Sequence, residues 1–303
     1  AYAAQYGFSC IYFAIVLAVK RIAVIGFRFE PQLIREWFWK GLPFALTFVL
    51  SILYFKIDQP MVYALRSQSE AGLYGAAYKP FESLLFIPIT FLSVVFPVLS
   101  VYHRERPEEM LGAVSRFFKA LLLMGWPVAV GGFVIARSLN NALGLYPASA
   151  PSFQILALGL GLAFANNAFI GALSAADRQA SFTWAAGWSL VANLALNIVL
   201  IPIYGYIGAS WATVLTEVVL AVVAWILVAR HVGRVPVVKL SWRIVLAGLV
   251  MGVAVYPLRD FGGVEVVVPL VVGAAVYAVA IVLLRGVTKD EIGWARRAIA
   301  SAR

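Results

Sequence analysis

The sequence predicts an all-α integral membrane protein of about nine transmembrane helices, and three observations carry that prediction. Hydrophobic residues make up 63% of the 303 and charged residues only 13%, with a mean hydropathy of +0.90. No water-soluble domain of this length needs such an excess for its core. Apolar stretches of about 20 residues, the length that crosses ~30 Å of hydrocarbon, recur from one end of the chain to the other. Most of the 24 Lys and Arg residues fall in every second connection between those stretches, the pattern left when basic residues are retained on the cytoplasmic side.

The spans run, within a few residues, from Tyr2 to Val19, Gly41 to Leu65, Gly72 to Val101, Val114 to Ala136, Pro151 to Ala176, Ala180 to Ile201, Ile207 to Ala229, Trp242 to Leu258 and Val264 to Leu284. Lys20, Arg21, Arg28, Arg35 and Lys40 separate the first from the second, and Arg104, Arg106, Arg116 and Lys119 mark the turn from the third to the fourth. Arg178 lies between the fifth and sixth, and Arg230, Arg234, Lys239 and Arg243 between the seventh and eighth. Arg285, Lys289, Arg296, Arg297 and Arg303 follow the ninth. The opposite side holds only Lys56, Arg66, Arg137 and Arg259, with Lys79 inside a span. This bias places the start of the chain outside and the C-terminus in the cytoplasm, in a multi-pass protein of the cytoplasmic (inner) membrane. The tail "VTKDEIGWARRAIASAR" reads as a short basic amphipathic helix lying on the cytoplasmic membrane face. Topology accounts for the net charge of +10, so nucleic acid is not an expected partner. The chain opens directly on apolar residues without the charged flank of a signal peptide, and is read as continuing upstream.

Bond-making chemistry finds little support. His103 and His231 stand in connections, far apart and without carboxylate or Cys companions at ligand spacing, which argues against a metal site. The single Cys10 gives no disulfide framework. A phosphate-cradling loop and a serine elbow are both missing. Gly159 and Gly161 of "LGLGLAF" lie within a span, where small residues let helices approach closely.

The informative residues are polar groups at membrane depth, where they are costly and face a bundle interior or a wet cavity. At ~1.5 Å per residue, Lys56 lies about 22 Å along the second span from the cytoplasmic side, while Lys79 and Glu82 lie about 10 and 15 Å down the third from outside. These depths overlap. Lys79 and Glu82 are i,i+3 neighbours able to pair, whereas Lys56 and Asp58, at i,i+2, point to nearly opposite sides and need different partners. Pro60 lacks an N–H, and its ring crowds the carbonyl of residue 56, so the helix is expected to kink or unwind there. Two readings follow. Either Lys56 snorkels to the outer surface with Asp58 among the headgroups, or Lys56, Asp58, Lys79 and Glu82 line a hydrophilic cavity with Arg66 at its rim. Such a cavity could receive phosphate on its basic groups and carry a coupling H+ or Na+ on Asp58 or Glu82. Glu217, deep in the seventh span, serves either as a further ion-coupling acid or as an interhelical anchor. Asn166, Asn167, Asn193 and Asn197 are expected to act as polar glue between helices or to line the lumen.

The stretch "LGLYPASAPSFQILALGLGLAFANNAFIGALSAADRQ" and the later "VANLALNIVLIPIYGYIGASWATVLTEVV" resemble the C-terminal half of polysaccharide flippases of the multidrug/oligosaccharidyl-lipid/polysaccharide exporter superfamily. The most specific motif residues are Asn193, Asn197, Ile201, Pro202, Tyr204, Gly205, Gly208, Ala209, Ala212 and Thr213, and Asp58, Gly72, Tyr74 and Ala77 also fall in the family's order. Asp177 departs from it, standing where a small residue, often Gly, precedes the basic position of Arg178.

The resemblance implies two six-helix lobes that rock about a central cavity. Residues 1–40 would hold the last helix of the first lobe and its cytoplasmic connection, 41–230 the second lobe, and 231–303 two extra helices with the amphipathic tail. The missing first lobe would then be a partner from the same chain. The implied function is flipping a polyprenyl-diphosphate-linked oligosaccharide across the membrane for polysaccharide export, including lipopolysaccharide, without enzymatic chemistry or a resident cofactor. The alternatives are a multidrug/cation antiporter of the same superfamily and, from another class, a membrane glycan polymerase or acyltransferase. Pro202, Gly205 and Gly208 shape a turn and its packing rather than touch cargo.

Overall fold

The structure is a computed structural model that describes residues 56–261 and 263–287, together with scattered positions between residues 7 and 53. Most of the first predicted span, most of the second and the amphipathic tail therefore lie outside the described residues. By contact the chain divides into two compact units, Ala1–Leu50 and Ser51–Arg303. Residues 31–33 and 35–39 of the first are helical, and the second unit carries the fold described below.

Its helices are α1 (Asp58–Leu65), α2 (Gln68–Glu105), α3 (Pro107–Val134), α4 (Ala136–Ala142), α5 (Ala150–Ala175), α6 (Gln179–Tyr204), α7 (Tyr206–His231), α8 (Val237–Val255) and α9 (Val267–Leu283). Among the described residues there is no strand. Among the described residues seven helices, namely α2, α3 and α5 to α9 with their flanking turns, are long and apolar enough to cross a membrane, and they coincide with the third to ninth spans read from the sequence.

Local chemistry explains the breaks between helices. The chain bends at Ile57, between helical residue 56 and α1, so Pro60 sits in the first turn of α1, where a proline's missing N–H is tolerated. After α1, Ser67 is extended (φ −162°), and its hydroxyl accepts from the Glu70 N–H at 3.2 Å, which starts α2 with a side-chain cap. At 38 residues, α2 is about 57 Å long by its 1.5 Å rise, more than the bilayer core needs. It carries Pro80, Pro88 and Pro97 within it. Such prolines are accommodated in membrane helices because neighbours resatisfy the freed carbonyls.

At the centre is α5. Some 72% of its apolar window is buried inside the protein, against 22% for α2 and 44% for α7. It packs against α2, α3 and α7, while α6 pairs mainly with α7. Small residues make this possible: a Cβ on Gly125 of α3 would stand 2.5 Å from the Phe164 Cβ of α5, and one on Gly161 would stand 3.0 Å from Trp126. Helices without a water-driven reason to associate gain contact by such close approach. The α8–α9 hairpin attaches to the side of α3, where Trp126 Nε1 donates to the Val245 carbonyl at 3.3 Å and the Tyr277 hydroxyl donates to that of Leu123 at 3.1 Å.

The departure noted at Asp177 has a backbone reason. Asp177 follows α5 with φ +55°, the Arg178 N–H reaches the Leu173 carbonyl at 2.8 Å and the Asp177 N–H that of Ser174 at 3.2 Å. This is a Schellman end, whose left-handed residue is most often glycine. Asp177→Gly is therefore expected to raise stability by about 0.5–1 kcal/mol, read as a higher unfolding midpoint in detergent.

Candidate functional site

The α6–α7 turn and the α1–α2 turn dock on one another, and together they frame the site. Gly205 is both the last residue of α6's cap and the first of α7's, with φ +61°, so a single residue joins two 26-residue helices. Glu70 reaches into this joint: its Oε2 accepts from the Tyr206 N–H at 3.1 Å, at the N-terminal end of α7, where a carboxylate meets the positive end of the helix dipole. A Cβ on Gly205 would collide with that same Glu70 oxygen. Arg66 completes the clamp, donating to Glu70 Oε1 at 3.2 Å and to the Pro202 carbonyl at 3.3 Å. Arg66, expected at the rim of a substrate cavity, is thus engaged in holding two turns together.

At the other end of α1, the helix that Arg66 closes, Asp58 is only 3% exposed. Its Oδ2 accepts from the Tyr74 hydroxyl of α2 at 2.8 Å and from Thr213 Oγ1 of α7 at 2.8 Å, and its Oδ1 accepts from Asn197 Nδ2 of α6 at 2.6 Å. Asn197 also donates to Asn193 Oδ1 at 3.0 Å, the i,i+4 pairing their spacing offers. One carboxylate therefore ties four helices through neutral donors, and a buried carboxylate is retained only where its lone pairs are satisfied in this way. A small cleft opens beside it, walled by Tyr78 and Phe81 of α2, Asn193 of α6 and Thr213, Thr216 and Glu217 of α7.

The remaining sequence candidates do not join Asp58. Lys56 Nζ bonds Glu82 Oε1 at 2.5 Å, with both side chains about half exposed, so Glu82 pairs across helices rather than with Lys79 on its own helix. Lys79 is exposed, and among the described residues it has no ion pair. Among the described residues, none of Lys56, Lys79 and Glu82 bonds to Asp58. Lys56 Nζ lies 5.6 Å over the Tyr78 ring, and Tyr78, flanked by Tyr74 and Phe81 at 5.6 and 5.3 Å, forms an aromatic wall between the exposed ion pair and the buried acid. The i,i+2 geometry explains the split, since Lys56 and Asp58 leave their helix on different sides. Because the Lys56–Glu82 pair is half solvated, Lys56→Gln is expected to change stability by less than about 1 kcal/mol, measured by thermal unfolding in detergent.

Glu217, 7% exposed, is held by Asn166 of α5, whose Nδ2 donates to Glu217 Oε2 at 2.8 Å and to its main-chain oxygen at 3.1 Å. Asn167 instead donates back to the Ala163 carbonyl of its own helix at 2.8 Å. Three participants escaped the sequence reading as site residues: Tyr74, Thr213 and Glu70. Glu70 had a signal, since Ser67-Gln68-Ser69-Glu70 is the S-x-x-E pattern of a helix start. Thr213 had one too, because it stands one turn before Glu217 and one turn after Ser210 on α7, a buried polar stripe at helical spacing.

Residues 3–144 match a family model described as polysaccharide biosynthesis protein. The chain superposes on the lipid II flippase MurJ in its inward closed conformation with TM-score 0.76 and 18% identity, over 88% of this chain and 58% of that one. It superposes less closely, with TM-score 0.54 and 17% identity over 86% of this chain and 66% of the other, on the outward-facing conformation of a multidrug resistance MATE family transporter of the MOP superfamily. No curated protein matches it in sequence. The chain thus spans 58% of the length of the flippase it resembles, and at these identities the likeness is one of fold. This is a multi-pass membrane chain whose fold resembles those of a lipid flippase and a multidrug transporter, and its residues 3–144 match a family model for polysaccharide biosynthesis proteins.

Proposed function

We propose that the chain is part of a flippase that moves a polyprenyl-diphosphate-linked oligosaccharide from the cytoplasmic to the outer leaflet of the cytoplasmic (inner) membrane for polysaccharide export. The observation that carries this reading is a polysaccharide-biosynthesis match on a chain with a flippase fold. Flipping breaks no bond, so the protein acts as a transporter rather than an enzyme and needs two things: a surface that receives the diphosphate and a change of access. Lys56 and Lys79, exposed on α1's approach and on α2, offer ammonium groups for the diphosphate oxygens. The buried network of Asp58 offers a place for a coupling H+ or Na+, whose binding would favour one access state over the other.

In this reading residues 1–40 end a first lobe, 41–230 form the second, 231–303 add two helices and a tail on the cytoplasmic side, and the first lobe's remaining helices supply the surface against which the second rocks. A multidrug/cation antiporter is the second reading, and the acid-lined cleft beside Asp58 is what favours it.

Cells lacking the full-length protein are expected to accumulate lipid-linked oligosaccharide on the inner leaflet, with export restored by the wild type and only partly by Lys79→Gln. Full export by both Lys79→Gln and Asp58→Asn would remove those residues from the mechanism. Unchanged export together with new sensitivity to cationic drugs would replace the flippase by the antiporter.

A further inference from the structure

We propose that the adjoining ends of α8 and α9 bind the phosphate of an anionic membrane phospholipid, held by Arg243 together with Lys239 and Arg285. The site stands apart from the flippase reading and rests on the cytoplasmic side that the distribution of basic residues assigns to these ends.

Arg243 comes six residues after Val237, the first of α8, and so lies about 9 Å along a helix that is long and apolar enough to cross a membrane. An ionised side chain at that depth is costly unless it reaches the interface or meets an opposite charge. Two contacts fix the guanidinium. Its Nη1 donates to the Arg285 carbonyl at 2.8 Å, just past the end of α9, where a cation meets the negative end of the helix dipole. It also lies 5.1 Å from the centre of the Trp242 ring, and Trp242 is itself half exposed, as tryptophans at a membrane surface are. Capping α9 accounts for one of the five N–H donors of an arginine. Among the described residues the others have no protein acceptor.

Two further cations stand beside it. Lys239 precedes Arg243 by four residues on α8, so the two are neighbours on one helical face, where like charges repel. Arg285 brings the third through the carbonyl that Arg243 holds. Lys239 and Arg285 are exposed, and among the described residues no carboxylate pairs with any of the three. Arg285 also occupies its place at a conformational cost. Its φ is +51°, its N–H reaches the Val282 carbonyl at 3.0 Å, and the Gly286 N–H reaches that of Ile281 at 2.7 Å. This is a Schellman end, whose left-handed residue is most often glycine, and a cation stands there instead. An anion shared among the three removes their repulsion, and the planar fork of Arg243 matches two phosphate oxygens at once. At the cytoplasmic surface of a bilayer the available anions are lipid headgroups, which basic clusters between membrane helices take up. Since α8 and α9 are both bonded to α3, through Trp126 and Tyr277, a lipid held across their ends would anchor the hairpin to the leaflet as well as to the lobe.

The test is thermal unfolding of the full-length protein in detergent micelles carrying phosphatidylglycerol or, as the control without net charge, phosphatidylcholine, with no polyprenyl lipid present. Phosphatidylglycerol is expected to raise the midpoint saturably above the phosphatidylcholine value. Lys239→Gln and Arg243→Gln should each need about fivefold more phosphatidylglycerol for half the effect, the equivalent of ~1 kcal/mol per basic residue at an anionic surface. Arg104→Gln, which removes an exposed charge read on the same side, should leave half-saturation unchanged. Arg285→Gly should act in two directions, raising the midpoint in phosphatidylcholine by relieving the backbone and weakening the response to phosphatidylglycerol. A wild type indifferent to phosphatidylglycerol overturns the proposal, as do equal shifts in Arg104→Gln and Lys239→Gln, which would mean diffuse attraction to charge. A wild type that responds to polyprenyl diphosphate but not to phosphatidylglycerol gives the cluster to the cargo and overturns it too. Should Arg243→Gln fail to fold, Lys239→Gln and Arg285→Gly decide, because neither side chain bonds another described residue, and an undiminished response in both refutes the site. Export is not read in this experiment, so its outcome and that of the flippase reading are independent.

Discussion

Asp58→Ala is expected to destabilise the folded protein by about 2–4 kcal/mol, each buried polar group left unpaired contributing ~1–3. The carboxylate is the common acceptor for Tyr74, Thr213 and Asn197, and its removal does not orphan all three. The Tyr74 and Thr213 hydroxyls stand 3.0 Å apart and can bond each other, and Thr213 can turn fully to the Ala209 carbonyl at 3.0 Å. What stays unmatched is the Asn197 amide and one hydroxyl, along with the space the side chain filled. Asp58→Asn keeps the volume and one acceptor but turns an NH2 group towards donors, so its loss should be smaller. The informative comparison sets unfolding midpoint against export for the two variants. Both are expected to lose export, while only Asp58→Ala is expected to lose much stability. Wild-type midpoints for both would show that the network does not hold the four helices together.

Gly208→Ala is expected to destabilise by about 1–3 kcal/mol or more, the range for forcing extra atoms into a packed site. A Cβ there would collide with the Leu200 carbonyl oxygen and stand 2.6 Å from its carbon and 3.1 Å from the Ile201 nitrogen. Those are main-chain atoms of α6, and the helices cannot part to make room, because one residue joins them and the Gly208 N–H is bonded to the Gly205 carbonyl at 2.9 Å. Gly187, on the same α6, meets nothing within 4 Å, and Gly187→Ala should be neutral or stabilising by up to about 1 kcal/mol through helix propensity. Measuring both midpoints separates collision from any general intolerance of alanine in α6.

The spans were legible because a bilayer imposes length and apolarity on each segment separately, so α2, α3 and α5 to α9 could be found without knowing their neighbours. The opposite facing of Lys56 and Asp58 was legible for the same local reason. The partners of Asp58 were not. Tyr74 lies 16 residues away, Asn197 139 and Thr213 155, and no periodicity within one helix reveals which helix stands beside it. The sequence reading therefore grouped charges by depth, which joined Lys79 and Lys56 to Asp58. Depth alone cannot tell the two sides of the Tyr78 ring apart. The motif glycines are legible as shaping a turn and its packing, and the geometry at Gly205 and Gly208 supplies the partners: the space they leave is occupied by Glu70 and by the backbone of α6.

The burial of α5 has a consequence for how the protein is made. Its mean hydropathy of 1.7 equals that of α3 and lies below the 2.4 of α2 and α7, although α5 is much the more buried. Two of its polar side chains find their partners only on α7, Ser152 on Ser210 at 2.6 Å and Asn166 on Glu217, more than 50 residues later in synthesis. A chain cut before α7 therefore leaves Ser152 and Asn166 of its middle helix without these partners, at about 1–3 kcal/mol for each buried polar group left unpaired.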